Sequence, residues 1–289
     1  MIRLGTRGSA LALAQAKLVA DALGGEVELV TITTSGDRGE APGDKARWTS
    51  ALEAALLASE IDIAVHSAKD VPGELAEGTV IVAVPPRTSG TLDALCGFAD
   101  FASIAPDARV GTSSIRRTAQ LRAVRADLRI VELRGNVDTR LRKLADGEVD
   151  AVVLAEAGLR RLGRESEIGC LLSELVPAPG QGALLVQART GDERASAIND
   201  PEAERCVISE RALASRLNAT CNTPLGASSV PASGNDVTLR AWVGLPDGSH
   251  WISDELTASF DQVGELVAER MTAAGARELL AQAEEMAAA

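Results

Sequence analysis

"PAPGQGALLVQAR", residues 177–189, is the stretch on which the fold turns. Pro177 to Gly182 holds two prolines and two glycines in six residues, a composition that interrupts helix and strand alike and reads as a crossing between structural units. Leu184 to Arg189 then reads as a short, mostly apolar strand. A break of the same kind, Pro85-Pro86-Arg87-Thr88-Ser89-Gly90, lies far upstream. Together the two breaks predict a chain that leaves one sheet, builds a second α/β unit, and returns to add a strand to the first.

The segments on either side fit that path. "IRLGTR" and "EVELVTITT" flank the helical pattern "SALALAQAKLVADAL", with Ser9 placed as its N-cap. "SALEAALLAS", "IDIAVHS" and "TVIVAVP" continue a βαβ order with a mostly parallel sheet. Beyond the first break come "ARVGTSS", a helix over 115–124, "LRIVELR", a helix after Asn136, and "DAVVLAEAG". The character then changes to a long helix "PEAERCVISERALASRL", strands "VTLRAWVGLP" and "HWISDELTAS", and a C-terminal helix. The expected fold class is α/β: one lobe over 1–86 with 184–198, a second over 91–178, hinged like a clamshell binding protein. A smaller α+β C-terminal domain is expected over 200–289.

With 289 residues the chain is too long for one typical core, and aromatics are only 2% with no tyrosine, so the cores must be aliphatic. The net charge of −12 argues against nucleic acid or an anionic membrane as partner. Between Arg109 and Arg161, however, eleven arginines and Lys143 stand against seven carboxylates. A basic island in an acidic chain suits a small ligand rich in carboxylate or phosphate, although some of these arginines belong to solvated helix faces. Cys96, Cys170, Cys206 and Cys221 are widely spaced and only two histidines are present, so neither a zinc site nor a disulfide framework is expected. No run approaches the roughly 18 apolar residues of a membrane helix, and the N-terminus lacks the apolar core of a signal peptide. A soluble, cytoplasmic protein is expected.

In open α/β sheets ligands bind beyond the carboxyl ends of the strands, and four polar clusters follow predicted strands. "TRGS" supplies Arg7 and Ser9; "HSAKD" supplies Ser67, Lys69 and Asp70. "GTSSIRR" offers Thr112, Ser113 and Ser114 at a helix start, an anion-binding arrangement, with Arg116 and Arg117 in the first turn. Cations there oppose the helix dipole, and an anionic ligand would offset that cost. "LRGNVDTRL" repeats the logic with Asn136 as cap and Arg134 and Arg140 on either side. Taken alone, Lys69 and Asp70 read as a solvated ion pair in a turn; four clusters at one edge favour a ligand-facing role. Asp70 is then a lone carboxylate facing a basic cleft, able to stabilise a cation or relay a proton. Cys221, in "NATCNTPLG", follows a helix end among small residues and is a candidate nucleophile or attachment point.

Seven motifs in order, "TRGSALALAQA", "HSAKDVP", "GTSSIRR", "LRGNVDTRL", "AGLRRLG", "PAPGQGAL" and "CNTPLG", resemble those of the porphobilinogen deaminase (hydroxymethylbilane synthase) family from Thr6 to Gly226. The resemblance implies two periplasmic-binding-protein-like lobes with a double hinge, plus the smaller C-terminal domain. It implies a transferase of haem and porphyrin biosynthesis that condenses four porphobilinogen molecules, with loss of ammonia, into hydroxymethylbilane. It implies a dipyrromethane cofactor joined to Cys221 by a thioether, and Asp70 as the residue assisting at cationic pyrrole centres. Arg7, Ser9, Lys69, Arg116, Arg117, Arg134, Arg140 and Arg161 match residues that hold acetate and propionate groups. A monomer with no metal, no nucleic acid and no membrane is implied as well.

Two places depart from the family pattern. "GDRGEAPGDKARWTSALEAAL" is shorter than the usual Gly- and Lys-rich loop, with Lys45 in place of a loop lysine and Trp48 near the usual Phe. Ala219 and Thr220 stand where glycines precede the attachment cysteine. The rival reading is a non-enzymatic clamshell anion-binding or sensor protein, which would use the same lobes without the chemistry of Cys221 or Asp70.

Overall fold

The computed structural model describes residues 1–35, 46–220 and 223–288. The first lobe begins with β1 (Ile2–Thr6), α1 (Ala10–Leu23), β2 (Val27–Thr31), α2 (Ala46–Leu57), β3 (Ile63–Ser67) and β4 (Thr79–Ala83). The second holds β5 (Asp93–Cys96), β6 (Arg109–Thr112), α3 (Ile115–Val124), β7 (Arg129–Glu132), α4 (Val137–Ala145), β8 (Ala151–Ala155), α5 (Glu156–Arg161) and β9 (Cys170–Leu172). The chain then returns through β10 (Leu184–Arg189). It ends in α6 (Pro201–Arg216), β11 (Leu225–Pro231), β12 (Asp236–Gly244), β13 (Trp251–Ser259), α7 (Val263–Ala273) and α8 (Ala276–Ala288).

The first sheet has the order β2-β1-β3-β10-β4, with β1 parallel to β2 and β3 and with β10 antiparallel to both β3 and β4. "LLVQAR" does rejoin the first sheet, between β3 and β4. The second sheet, β7-β6-β8-β5-β9, runs β6, β7 and β8 parallel and β5 antiparallel to β8 and β9. The strands β5 and β9 carry no legible sequence period because they span only four and three residues. The last sheet is the antiparallel meander β11-β12-β13. Its core joins Leu213 of α6, Leu239 and Val243 of β12, and Val267 and Met271 of α7, and is aliphatic like those of the lobes.

Helix starts follow local chemistry. The Ser9 hydroxyl accepts from the Ala12 N–H at 3.3 Å, Asn136 accepts from the Thr139 N–H at 2.8 Å, and Asp200 accepts from the Ala203 N–H at 2.8 Å with Pro201 next in line. Each satisfies a backbone donor that has no partner inside the helix.

The two crossings touch. Gly182 has φ +85°, and a Cβ there would strike the Gly90 carbonyl oxygen, so only glycine allows this approach. The Arg87 guanidinium donates to the Gln181 carbonyl at 2.9 Å and pairs with Glu210 of α6 at 2.8 Å. Glu210 is fully buried and also accepts from the Gly180 and Ser229 N–H groups at 2.7 and 2.8 Å. One carboxylate thereby ties both crossings to the C-terminal part, and its burial is tolerated because its oxygens are hydrogen-bonded.

Candidate active site

At its carboxyl end β3 gives way to a tight turn over Ala68–Asp70, closed by the Val71 N–H to the Ala68 carbonyl at 3.3 Å. The return crossing supports this turn. The Ala68 N–H donates to the Ala183 carbonyl at 3.1 Å, and a Cβ on Gly180 would sit 2.9 Å from that of Ala68. Ser67 exchanges hydrogen bonds with Gln15 of α1, the shorter at 2.9 Å. Burial pushes the His66 imidazole down to about 4, so it is a neutral core residue. Burial also pushes the Lys69 ammonium down to about 8, with the Asp70 carboxylate opposing and Arg117 reinforcing the shift.

Across the cleft, β6 ends at Thr112, whose hydroxyl accepts from the Ser114 N–H at 3.2 Å, and Ser114 caps α3. Arg116 and Arg117 turn inward onto Asp93 of β5, at 2.8 and 2.7 Å. Asp93 is wholly buried; desolvation alone would raise its carboxyl, but the two guanidiniums hold it well below the usual carboxylate range. Gln181 of the return crossing adds a 3.0 Å hydrogen bond to the same oxygen. An internal carboxylate thus supplies part of the offset expected from an anionic ligand. Asp93 neutralises one charge internally and leaves one in excess. Arg116 also donates to the Val176 carbonyl at 2.7 Å and Arg117 to the Val153 carbonyl at 2.9 Å. Arg140, from α4, reaches the Ser113 hydroxyl at 2.9 Å. Burial, then Arg117, lowers its guanidinium to about 10, still cationic at neutral pH.

A cavity of about 380 Å³ lies between these groups. The first lobe contributes Lys69 and Asp70, and the second contributes Ser113, Ser114, Arg116, Arg117 and Arg140. Pro179 and Gln181 of the crossing and Thr220, Thr223 and Leu225 of the C-terminal part complete the wall. Trp48 of α2 lines it too, with the Arg7 guanidinium 4.0 Å from the ring centroid, a cation–π contact.

Other expected residues stand outside the wall. Ser9 and Asn136 serve as caps, Thr112 supports Ser114, and Arg134 is exposed and paired with Glu132 at 2.7 Å. Arg161 donates to the Gly182 carbonyl at 2.6 Å and supports the crossing, while burial, then Arg87, lowers its guanidinium to about 10. Lys45 and Cys221 lie outside the described residues. Sequence reasoning missed Asp93, Gln15 and Gln181; a lone aspartate inside the apolar "LDALC" was the one available signal. Among the described residues no group of His, Cys, Asp or Glu is placed to hold a metal ion, and no helix is long and apolar enough to cross a membrane.

Residues 2–197 match the family described as porphobilinogen deaminase, dipyromethane cofactor binding domain, and residues 204–273 match the porphobilinogen deaminase C-terminal domain. A curated relative named porphobilinogen deaminase from Rubrobacter xylanophilus is 46% identical, covering 96% of this chain and 95% of its own. Another of that name from Deinococcus radiodurans is 43% identical, covering 96% and 97%. A solved ABC transporter structure from Parabacteroides distasonis is similar at 15% identity and a TM-score of 0.42, covering 68% of this chain and 69% of its own.

Proposed function

The chain belongs to the porphobilinogen deaminase family, and from that premise we propose how its own residues carry the reaction. It is a transferase of tetrapyrrole biosynthesis, joining four porphobilinogen molecules head to tail with release of ammonia to give hydroxymethylbilane. The observation that carries the reading is one carboxylate, Asp70, sharing a single cavity with four cations, Lys69, Arg116, Arg117 and Arg140.

The residues present fit a dipyrromethane. Its acetate and propionate groups require several cations in one cleft, and the wall supplies four, of which Arg116 and Arg117 share the single negative charge of Asp93. A volume of about 380 Å³ suits a ligand of two pyrrole rings. When bound, the group supplies the free pyrrole α-carbon to which substrate is added; Cys221 is proposed as its attachment point, supported by the placement of Thr220 and Thr223 in the cavity wall.

The protein side then divides the work. Arg140 binds a carboxylate of the bound pyrroles through its guanidinium, while Arg116 and Arg117, whose forks are held by Asp93, add their excess positive charge behind it. Lys69 adds a point charge, and the first turn of α3, at Ile115, adds a backbone donor for an anion. Asp70 stabilises the positive charge that appears on porphobilinogen as ammonia leaves, and it is worth most where water is excluded. Arg7 acts through the Trp48 face. Ser9, Ser67, Thr112, Arg134, Asn136 and Arg161 position these groups or meet later units of the chain, with Lys45 assigned to the same role on its motif alone.

The division into 1–86 with 184–198, 91–178 and 200–289 is proposed on the strength of the three sheets. A monomeric, cytoplasmic enzyme with porphobilinogen as its small-molecule partner completes the proposal. Intact-mass spectrometry of purified protein tests it: the expected mass exceeds the chain by one dipyrromethane, Cys221→Ser lacks that excess, and added porphobilinogen is consumed with ammonia release. An unmodified chain that consumes no porphobilinogen would overturn the reading.

A further inference from the structure

The turn that carries Lys69 and Asp70 is held from a direction the reaction does not require. Arg211, on α6, extends its guanidinium to three successive carbonyls just past that turn: Val71 at 3.2 Å, Pro72 at 2.5 Å and Gly73 at 3.4 Å. No other donor reaches those oxygens among the described residues, and Arg211 has no carboxylate partner among them. Its charge is thus spent on the backbone of residues 71–73 alone. Burial lowers the guanidinium, the ordinary result for a cation facing only dipoles.

The neighbouring residue Glu210 holds Gly180, and Gly180 packs against Ala68 and Lys69. One turn further along, Ala214 of the same helix lines the cavity, and the connection after the helix adds Ala219 and Thr220. A single helix therefore grips the Asp70 turn at one level and builds part of the cavity wall at the next.

We infer that Arg211 is a positioning residue, which fixes the Asp70 turn at a set distance from the C-terminal wall of the cavity by clamping the carbonyls of residues 71–73. The inference rests on the proposed function for its kinetic consequence, but not for the clamp itself. Arg211 touches no substrate. Without it Asp70 keeps its charge and loses its register, and a misplacement of about 1 Å at a reacting centre costs up to about a hundredfold in rate.

The test compares Arg211→Ala and Arg211→Lys with the parent, all as cofactor-loaded full-length protein with loading verified by intact mass. Hydrogen exchange followed by mass spectrometry reads the amides of peptides spanning 66–73, and steady-state kinetics with porphobilinogen reads kcat and KM. For Arg211→Ala, exchange across the turn is expected to rise several-fold and kcat to fall about tenfold or more, with KM within about twofold. The lysine variant, which retains a cation able to reach one or two carbonyls, is expected to recover most of both. Unchanged exchange would overturn the clamp. Faster exchange with unchanged kcat would overturn its role in positioning, as would kcat and KM failing together with lost cofactor loading, the pattern of general disruption. A parent inactive towards porphobilinogen would refute the proposed function instead, and the exchange result would still decide the clamp.

Discussion

Asp93→Asn probes the electrostatic foundation of the site. The wild-type carboxylate is fully buried, and the two arginines that share it are 6% and 7% exposed at their side chains. Four guanidinium N–H groups point at it between 2.7 and 3.2 Å. Asparagine retains one acceptor oxygen, replaces the other with a donor facing the guanidiniums, and leaves two buried cations without a counter-charge. Breaking a buried pair from one side costs about 3–5 kcal/mol. The Val176 and Val153 carbonyls remain as partners, which places the expectation near the lower end, about 3 kcal/mol. For a chain of this size that corresponds to a Tm lower by roughly 6–12 °C.

The assay is thermal unfolding by circular dichroism at pH 7 and low salt, repeated with decreasing pH. Because the folded carboxyl titrates below its unfolded value, its contribution is fully present above about pH 5 and is lost as pH falls through the depressed folded value. The gap between parent and variant should therefore be constant above about pH 5 and narrow below about pH 4. Inorganic phosphate should stabilise the variant more than the parent, since the site has gained a net positive charge. A loss under about 1 kcal/mol at pH 7, or a gap indifferent to acid, would refute the shared-carboxylate account.

Asp70→Asn should slow single-turnover ammonia release by on the order of a hundredfold with little change in KM, and a rate within about threefold of the parent would argue against electrostatic stabilisation at this position. Lys69, with its ammonium near 8 between Asp70, Asp93 and the guanidiniums of Arg116 and Arg117, should make KM rise as pH passes through about 8. In Lys69→Met that inflection should be absent and KM higher at neutral pH; an unchanged profile would assign the titration elsewhere. The same depressed value means that the unfolded chain binds more protons between about 8 and 10.5, so this group makes stability rise with pH across that window. Gly182→Ala should lower Tm by several degrees, since it adds a Cβ at φ +85° against the Gly90 carbonyl, and a neutral result in a melting experiment would mean that the two crossings separate freely.

Local signals were legible and long-range ones were not. The helix expected over 115–124 runs over Ile115–Val124, because its cap at Ser114 is encoded by adjacent residues. The return of "LLVQAR" to the first sheet was readable from the two Pro- and Gly-rich breaks that bracket the second lobe. By contrast, the partner of Arg116 and Arg117 lies on β5, a four-residue strand more than twenty residues upstream, and no period connects them. Arg134 and Arg140 look equivalent around Gly135, yet the first turns out to Glu132 and the second in to Ser113. Arg134 lies on the loop between β7 and α4, whereas Arg140 lies on α4 itself, and only the packing of that helix decides that the second turns inward. The arginine clamp on residues 71–73 joins positions about 140 apart in sequence and had no local signature.

The place of β10 between β3 and β4 also bears on how the polypeptide takes shape as it leaves the ribosome. β3 and β4 are complete by Ala83, but the strand between them is not made until Arg189. At ordinary elongation rates the gap of roughly a hundred residues takes about 5–20 s. All five strands of the second lobe, by contrast, are contiguous from Asp93 to Leu172 and can pair as soon as they emerge. During that interval β3 and the apolar β4 each present an unpaired edge, the surface on which nascent chains mispair. The lobe synthesised first is thus the one that closes later, and its closure waits on the arrival of six residues, Leu184–Arg189.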